Sequence, residues 1–222
     1  MVLEQYKEIV GSCAMYTTMA QMLAGTVICK DIYKKGTTKG VDPMPFLGGI
    51  GLCILMLRYA LMLNDSTMIN VNIFGLSTNI IYMIVYYYYA PNTGEVLTLI
   101  FKTTIFVLIF LVYAQIEHPE NVEFRFGLVV TILLLLLIAS PLMHLKQIIK
   151  TKNTEILPFP LIFMGTLVSF QWLLYGLIIN NVFIIFQNAV GFILSIAQLS
   201  LFVIFPSKNS RAALLSKERK ED

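Results

Sequence analysis

Charge is scarce in this sequence. Lysine, arginine, aspartate and glutamate make up 13% of its 222 residues, about half the share of an ordinary soluble domain. Hydrophobic residues make up 57% and come in long blocks, which excludes a water-soluble globular chain. The blocks also lack the polar–apolar alternation of barrel strands, so a closed membrane barrel is excluded too. No aspartate or glutamate falls inside any block. An intramembrane carboxylate is the usual carrier of proton or sodium coupling, so its absence points to passive movement of a neutral solute. His118 and His144 stand alone, without the further ligands that a metal needs. No nucleophile–base pairing is readable, and no lysine lies in the last block to form a Schiff base. Cys13, Cys29 and Cys53 sit in or at the edges of apolar blocks, which gives no disulfide framework. No enzyme, cofactor, metal or nucleic-acid partner is expected.

What is present is a set of blocks close to the roughly 20 residues that carry a helix across a bilayer. They cover 9–29, 45–63, 67–89, 96–116, 126–145, 157–179 and 182–205. The first lacks a basic start and a small-residue cleavage site, so it reads as a retained helix rather than a signal peptide. Ser12, Thr17, Thr18 and Gln21 dilute it, so it is expected to face other helices or a cavity. The expectation is an all-α membrane protein with seven transmembrane helices. Lys30, Lys34, Lys35 and Lys39 follow the first span, Lys146, Lys150 and Lys152 the fifth, and a basic tail at 206–222 the seventh. Positive charge marks the cytoplasmic side, which puts the N-terminus outside and the C-terminus in the cytoplasm. Asp65, Glu117, Glu120 and Glu123 then lie outside. The four tyrosines at 86–89 end the third span where an aromatic belt belongs.

The two ends of the chain resemble each other at a shift of 116 residues: Lys30 maps to Lys146, Thr38 to Thr154, Tyr59 to Tyr175, and Asn72-x-x-Gly75 to Asn188-x-x-Gly191. Pro45-Phe46 matches Pro158-Phe159 only at a shift of 113, a slip of three residues. Three crossings reverse the chain, and one unmatched span restores its direction. The organisation is therefore a three-helix repeat at 9–89, a linker helix at 96–116, a second and parallel repeat at 126–205, and the tail. Repeats of this kind usually hold substrate at their interface, near mid-membrane.

Asn72 and Asn188 lie at matching depth in repeat-related spans. An amide both donates and accepts hydrogen bonds, as a sugar hydroxyl does, and a repeat-related pair favours binding. The other reading is interhelical packing, since Asn and small residues commonly join membrane helices. Trp172 is the only tryptophan and lies deeper than a belt anchor. Its indole face suits stacking on a sugar ring, or it is a packed or lipid-facing residue. Tyr59 comes from the corresponding span at similar depth. Pro141 kinks the fifth span, Gly25 occupies the matching place in the first, and Pro45 and Pro158 open the second and sixth. A proline there is often only a start signal, but four weak points in related places read as hinges. Arg58 and Lys102 are expected to snorkel to the headgroups.

At this point the chain resembles a known family. Gly40-Val41-Asp42-Pro43-Met44-Pro45-Phe46, Leu57-Arg58-Tyr59, Asp65-Ser66-Thr67 and Val85-Tyr86-Tyr87-Tyr88-Tyr89-Ala90-Pro91 resemble the first repeat of an animal SWEET sugar transporter. Ala139-Ser140-Pro141-Leu142, Lys150-Thr151-Lys152, Leu157-Pro158-Phe159 and Trp172-Leu173-Leu174-Tyr175-Gly176 resemble the second. The resemblance implies facilitative, bidirectional uniport of a mono- or disaccharide. It implies a sugar site at Asn72, Asn188 and Trp172, with Met56 where relatives often carry a Ser or Trp facing the pocket. It places the family's proline tetrad on Pro45, Pro141, Pro158 and, as a departure, Gly25, and implies that Tyr59 helps close the outer gate. Ala60 and Gln187 depart from the family's usual Gly and Pro. The plasma membrane, or a Golgi or other internal membrane, and a homo-oligomer are the expected setting. A short seven-helix receptor and a membrane trafficking or scaffold protein are the competing readings.

Overall fold

The ends of the apolar blocks carry residues that start and stop helices, and the architecture follows from them. The computed structural model describes residues 4–139, 154 and 159–205. After a short 3-10 turn at Glu4–Tyr6, the helices are α1 (Lys7–Met22), α2 (Gly25–Lys35), α3 (Met44–Met62), α4 (Ser66–Tyr88), α5 (Thr93–Ile116), α6 (Pro119–Ala139), α7 (Phe159–Ile178) and α8 (Val182–Ile204). No strand occurs among the described residues. Five of these helices, α3, α4, α5, α7 and α8, are long and apolar enough to cross a membrane. The 21-residue α6 carries Glu120, Glu123 and Arg125 in its first two turns. With α1 and α2 as one crossing in two pieces, the described residues make seven crossings, and the chain is an all-α membrane protein built of three-helix repeats and a linker helix.

The first crossing departs from the single helix expected over 9–29. It breaks at Leu23 and Ala24, between α1 and α2, although no proline is present. Around the break the amides turn to nearer carbonyls: Ala24 N–H donates to Gln21 O at 3.0 Å, Thr26 N–H to Leu23 O at 3.0 Å and Val27 N–H to Ala24 O at 3.1 Å. This i→i−3 pattern is the tighter 3-10 geometry. Two other starts come earlier than expected. Asn92 caps α5 by accepting from the Glu95 N–H, which begins that helix at Thr93. Pro119, whose missing N–H has no helical partner in the first turn, begins α6.

The chain forms two compact units, and the division falls inside α6, between Leu133 and Leu134. In the unit Glu8–Leu133, α3 packs on α4 and α5, and α2 packs on α4. Its buried cluster joins Cys29 and Ile32 of α2, Phe46 and Leu47 of α3, Tyr82, Met83 and Tyr86 of α4, and Val96 of α5. The Phe46 ring lies 5.6 Å from that of Tyr82. Gly51 brings α3 close to α5, where a Cβ would stand 3.2 Å from Val107 Cγ2. The outward side of α5 is apolar, with Ile109, Val112 and Ile116 exposed. Such a surface would be an aggregation patch in water; beside lipid it meets a matching solvent.

In the second unit α7 packs on α8. A Cβ on Gly176 would lie 3.0 Å from the Ile185 backbone nitrogen, so the glycine lets α7 approach the start of α8 without displacing its backbone. The two units repeat each other's internal geometry at the 116-residue shift. Asn64 and Asn180 take positive φ of 51° and 53° in the α3–α4 and α7–α8 turns, a conformation that asparagine tolerates. Asp65 and Asn181 then cap α4 and α8, accepting from Met68 N–H and Ile184 N–H. Thr38 N–H donates to Tyr89 O, and Thr154 Oγ1 donates to Phe205 O.

Candidate functional site

The α4 and α8 caps fix where the two asparagines fall, because each lies seven residues after its cap. Asn72 is buried and Asn188 half-buried. Asn72 Nδ2 donates to Met68 O at 2.8 Å, and Asn188 Nδ2 donates to Ile184 O at 2.8 Å. Each bond runs back one turn of the residue's own helix. It occupies one of the amide's two N–H donors and leaves the other donor and the carbonyl oxygen. The close helix packing beside Asn72 is made by Gly75 instead. A Cβ there would stand 2.8 Å from both Cys53 Sγ of α3 and Met22 Cε of α1, so the bare glycine lets both helices approach α4.

Trp172 lies half-buried on α7, and its ring meets that of Tyr175 edge-on, 5.5 Å away and at 89°. At the 116-residue shift Trp172 pairs with Met56 and Tyr175 with Tyr59. Met56 is half-buried on α3, and Tyr59 is buried one turn later. Gln187, which precedes Asn188, is buried. The first unit thus holds Gly25, Pro45, Met56, Tyr59 and Asn72, and the second holds Trp172 and Asn188.

Gly25 is the first residue of α2, immediately after the break. Pro45 lies in the first turn of α3, behind Pro43 at the N-cap, where a proline removes no helical hydrogen bond. Pro141 and Pro158 lie outside the described residues. Among the described residues no group of three or more metal-ligating side chains forms.

Two residues escaped sequence reasoning. Tyr82 of α4 donates its hydroxyl to Met22 O at 3.2 Å and lies 3.4 Å from Thr26 Oγ1, so it touches both sides of the break. Asn79 donates to Gly75 O at 2.8 Å and packs against Gly49 of α3. Its seven-residue spacing from Asn72 puts the two on one helix face, a signal the sequence did carry. The tyrosines at 86–89 are not one belt. Tyr88 is 78% exposed, as an anchor should be, but Tyr86 is in the core and donates to Val41 O at 2.9 Å.

A separate polar cluster closes the α5–α6 turn. Glu117 accepts from the Tyr113 hydroxyl at 2.7 Å, from Arg125 Nη1 at 2.9 Å and from the His118 N–H at 3.1 Å. The Tyr113 hydrogen bond, followed by those of Arg125 and His118, holds the Glu117 carboxyl below the usual carboxylate range.

The chain matches the protein family described as "Sugar efflux transporter for intercellular exchange" over residues 8–94 and again over 124–210. It is 33% identical to the sugar transporter SWEET1 of Drosophila pseudoobscura pseudoobscura, with 91% of each chain covered. It is 30% identical to the sugar transporter SWEET1 of Caenorhabditis elegans, over 97% of this chain and 71% of that one. Its fold is similar to the solved structure of a eukaryotic SWEET transporter, with a TM-score of 0.82 at 24% identity, covering 92% of this chain and 99% of the other.

Proposed function

This chain belongs to the SWEET family of sugar transporters, and on that premise we propose that it is a facilitative, bidirectional sugar uniporter working by alternating access. Its substrate is a mono- or disaccharide. Asn72 and Asn188 hydrogen-bond the sugar, Trp172 stacks on it, and Met56 lines the same pocket. Gly25, Pro45, Pro141 and Pro158 are the hinges, and Tyr59 helps close the outer gate. The repeats run over 9–89 and 126–205, with the linker helix at 96–116 between them. The N-terminus is outside and the C-terminal tail cytoplasmic, in the plasma membrane, and the chain works as a homo-oligomer. Membership of a transporter family removes the grounds for a receptor or scaffold reading.

The observation that carries the proposal is the matched state of the two amides. Each bonds to the carbonyl four residues back in its own helix, at 2.8 Å in both cases. An asparagine that served as interhelical glue would spend its amide on a neighbouring helix. These two instead keep a donor and an acceptor for something else, and a hydroxyl-rich neutral solute uses both at once. The SWEET fold is itself a standard example of parallel repeats with substrate near mid-membrane.

Asn72→Ala and Asn188→Ala test this. Each hydrogen bond contributes on the order of 1 kcal/mol net, and more where the sugar's hydroxyl is left unpaired in a dry pocket. Transport into proteoliposomes should fall about tenfold or more in either variant, with normal insertion and a matching loss of sugar affinity. Well-folded variants that bind sugar as the parent does would remove the assignment.

A further inference from the structure

The first crossing is interrupted without a proline, so the interruption is not fixed by covalent structure. In a straight helix Thr26 N–H would bond to Met22 O. Here it bonds to Leu23 O at 3.0 Å, and the Thr26 hydroxyl donates to that same carbonyl. Met22 O then needs another donor. In an apolar surrounding an unpaired carbonyl is costly, and broken membrane helices persist where neighbouring side chains satisfy the freed groups. The Tyr82 hydroxyl does this, donating to Met22 O at 3.2 Å. The same oxygen lies 3.4 Å from Thr26 Oγ1.

The Tyr82 ring completes the arrangement. It is buried, leans on Phe46 at 5.6 Å, and fills the space beside Gly25. A Cβ on Gly25 would stand 2.7 Å from Tyr82 Cδ2, so a side chain there would push the ring aside. Tyr82 therefore reaches the last residue of α1 with its hydroxyl and the first residue of α2 with its ring.

We propose that Tyr82 is the positioning residue of the first-repeat hinge: a hydroxyl clasp that holds the span bent at Leu23 and Ala24 and lets it straighten when the bond is released. The two states exchange hydrogen bonds nearly one for one. On straightening, Thr26 N–H returns to Met22 O and the Tyr82 hydroxyl is freed. This gives the uniporter proposed above a hinge with a small energy gap, as a transporter that must visit two states needs. The proposal rests on that reading for its role in transport, and on the local geometry alone for the clasp.

The test measures the bend and the transport separately. Spin labels are placed on the exposed native Cys13 of α1 and at Lys34→Cys on the exposed face of α2, with the buried Cys29 and Cys53 changed to alanine. The full chain is reconstituted in nanodiscs, and the label distance is read by pulsed electron resonance. Tyr82→Phe keeps the ring and removes only the oxygen, so the protein should fold as before. We expect the longer, straightened component to grow about fivefold in weight relative to the parent, the change that one ordinary hydrogen bond makes to an equilibrium. The maximal rate of sugar exchange should change by a similar factor, with KM moving less than twofold. Gly25→Ala, which displaces the ring, should act in the same direction and add less than its full effect in the double variant. A label distance that is the same in parent and Tyr82→Phe overturns the clasp. So does full additivity of the two substitutions, or a variant that loses sugar affinity while its bend is unchanged. If the distance shifts as expected but no sugar moves in the parent, the clasp stands and the uniporter reading fails.

Discussion

A glycine beside a candidate ligand invites two explanations, and at Gly75 the contacts decide between them. Met22 and Cys53 close on it from two helices, so its job is to admit neighbours. Gly75→Ala should therefore act on stability. Overfilling a packed site costs about 1–3 kcal/mol. The Met22 thioether is flexible and the Cys53 side chain short, so the alanine variant belongs near 1 kcal/mol and Gly75→Val well above it. Thermal inactivation of sugar binding in detergent should show this as a lowered midpoint with unchanged affinity below it. A loss of affinity at low temperature would make Gly75 part of the sugar site. At this scale the sequence was readable where two copies could be compared: Asn72 and Asn188 stand out because both repeats carry them, and their intrahelical bonds have the same length. Tyr82 was not readable. Its repeat mate is Gln198, so no matching pair drew attention to it. A hydroxyl that satisfies one carbonyl sixty residues away leaves no periodic trace.

Elements declare themselves through caps and through length, and this explains which boundaries could be read. Asp65 at the start of α4 and Asn181 at the start of α8 are ordinary cap residues. The break between α1 and α2 had no such sign. Hydropathy runs unbroken through Leu23, Ala24 and Gly25, and only the alignment of Gly25 with Pro141 marked the place. The α5–α6 turn shows a further limit, since Glu117 sits among other charges in the sequence and only folding collects Tyr113, Arg125 and the His118 amide around it. That cluster makes a pH prediction. The folded Glu117 has a pKa below its unfolded value, which is about 4.3 for a free glutamate. Its contribution is then fully present above the unfolded pKa and is lost as pH falls through the folded one. In acid melting monitored in detergent, Glu117→Gln should be less stable than the parent at neutral pH. The gap should close only below the ordinary carboxylate range. A gap that stays constant down to the lowest pH would mean that ionisation of Glu117 does not contribute.

For the molecule as a whole, composition and block length were enough to place seven helices in a membrane, and the 116-residue repeat was enough to group them. The same composition constrains the energetics. In the structure α3, α4, α7 and α8 carry no aspartate or glutamate, α1 has Glu8 and α5 has Glu95 only in the first turn, α6 has Glu120 and Glu123 in its first two turns, and α2 has Asp31 in its lysine-rich second half. Asp65 is buried, but it is committed to the Met68 N–H at the mouth of α4. Coupling to a proton or sodium gradient requires a group whose charge changes, or is bound, along the path of the solute. Asparagine amides do not titrate, and a neutral sugar held as proposed by Asn72 and Asn188 would gain nothing from a membrane potential. Proteoliposomes loaded with buffer and given labelled sugar outside should therefore fill to the outside concentration and stop. An inward proton or sodium gradient should alter neither the plateau nor the direction of net flow. Sugar preloaded inside should leave by the same route, and unlabelled sugar on the far side should speed tracer exchange, as a carrier that returns loaded faster than empty would. A plateau above the outside concentration that collapses when the gradient is dissipated would show a coupled transporter.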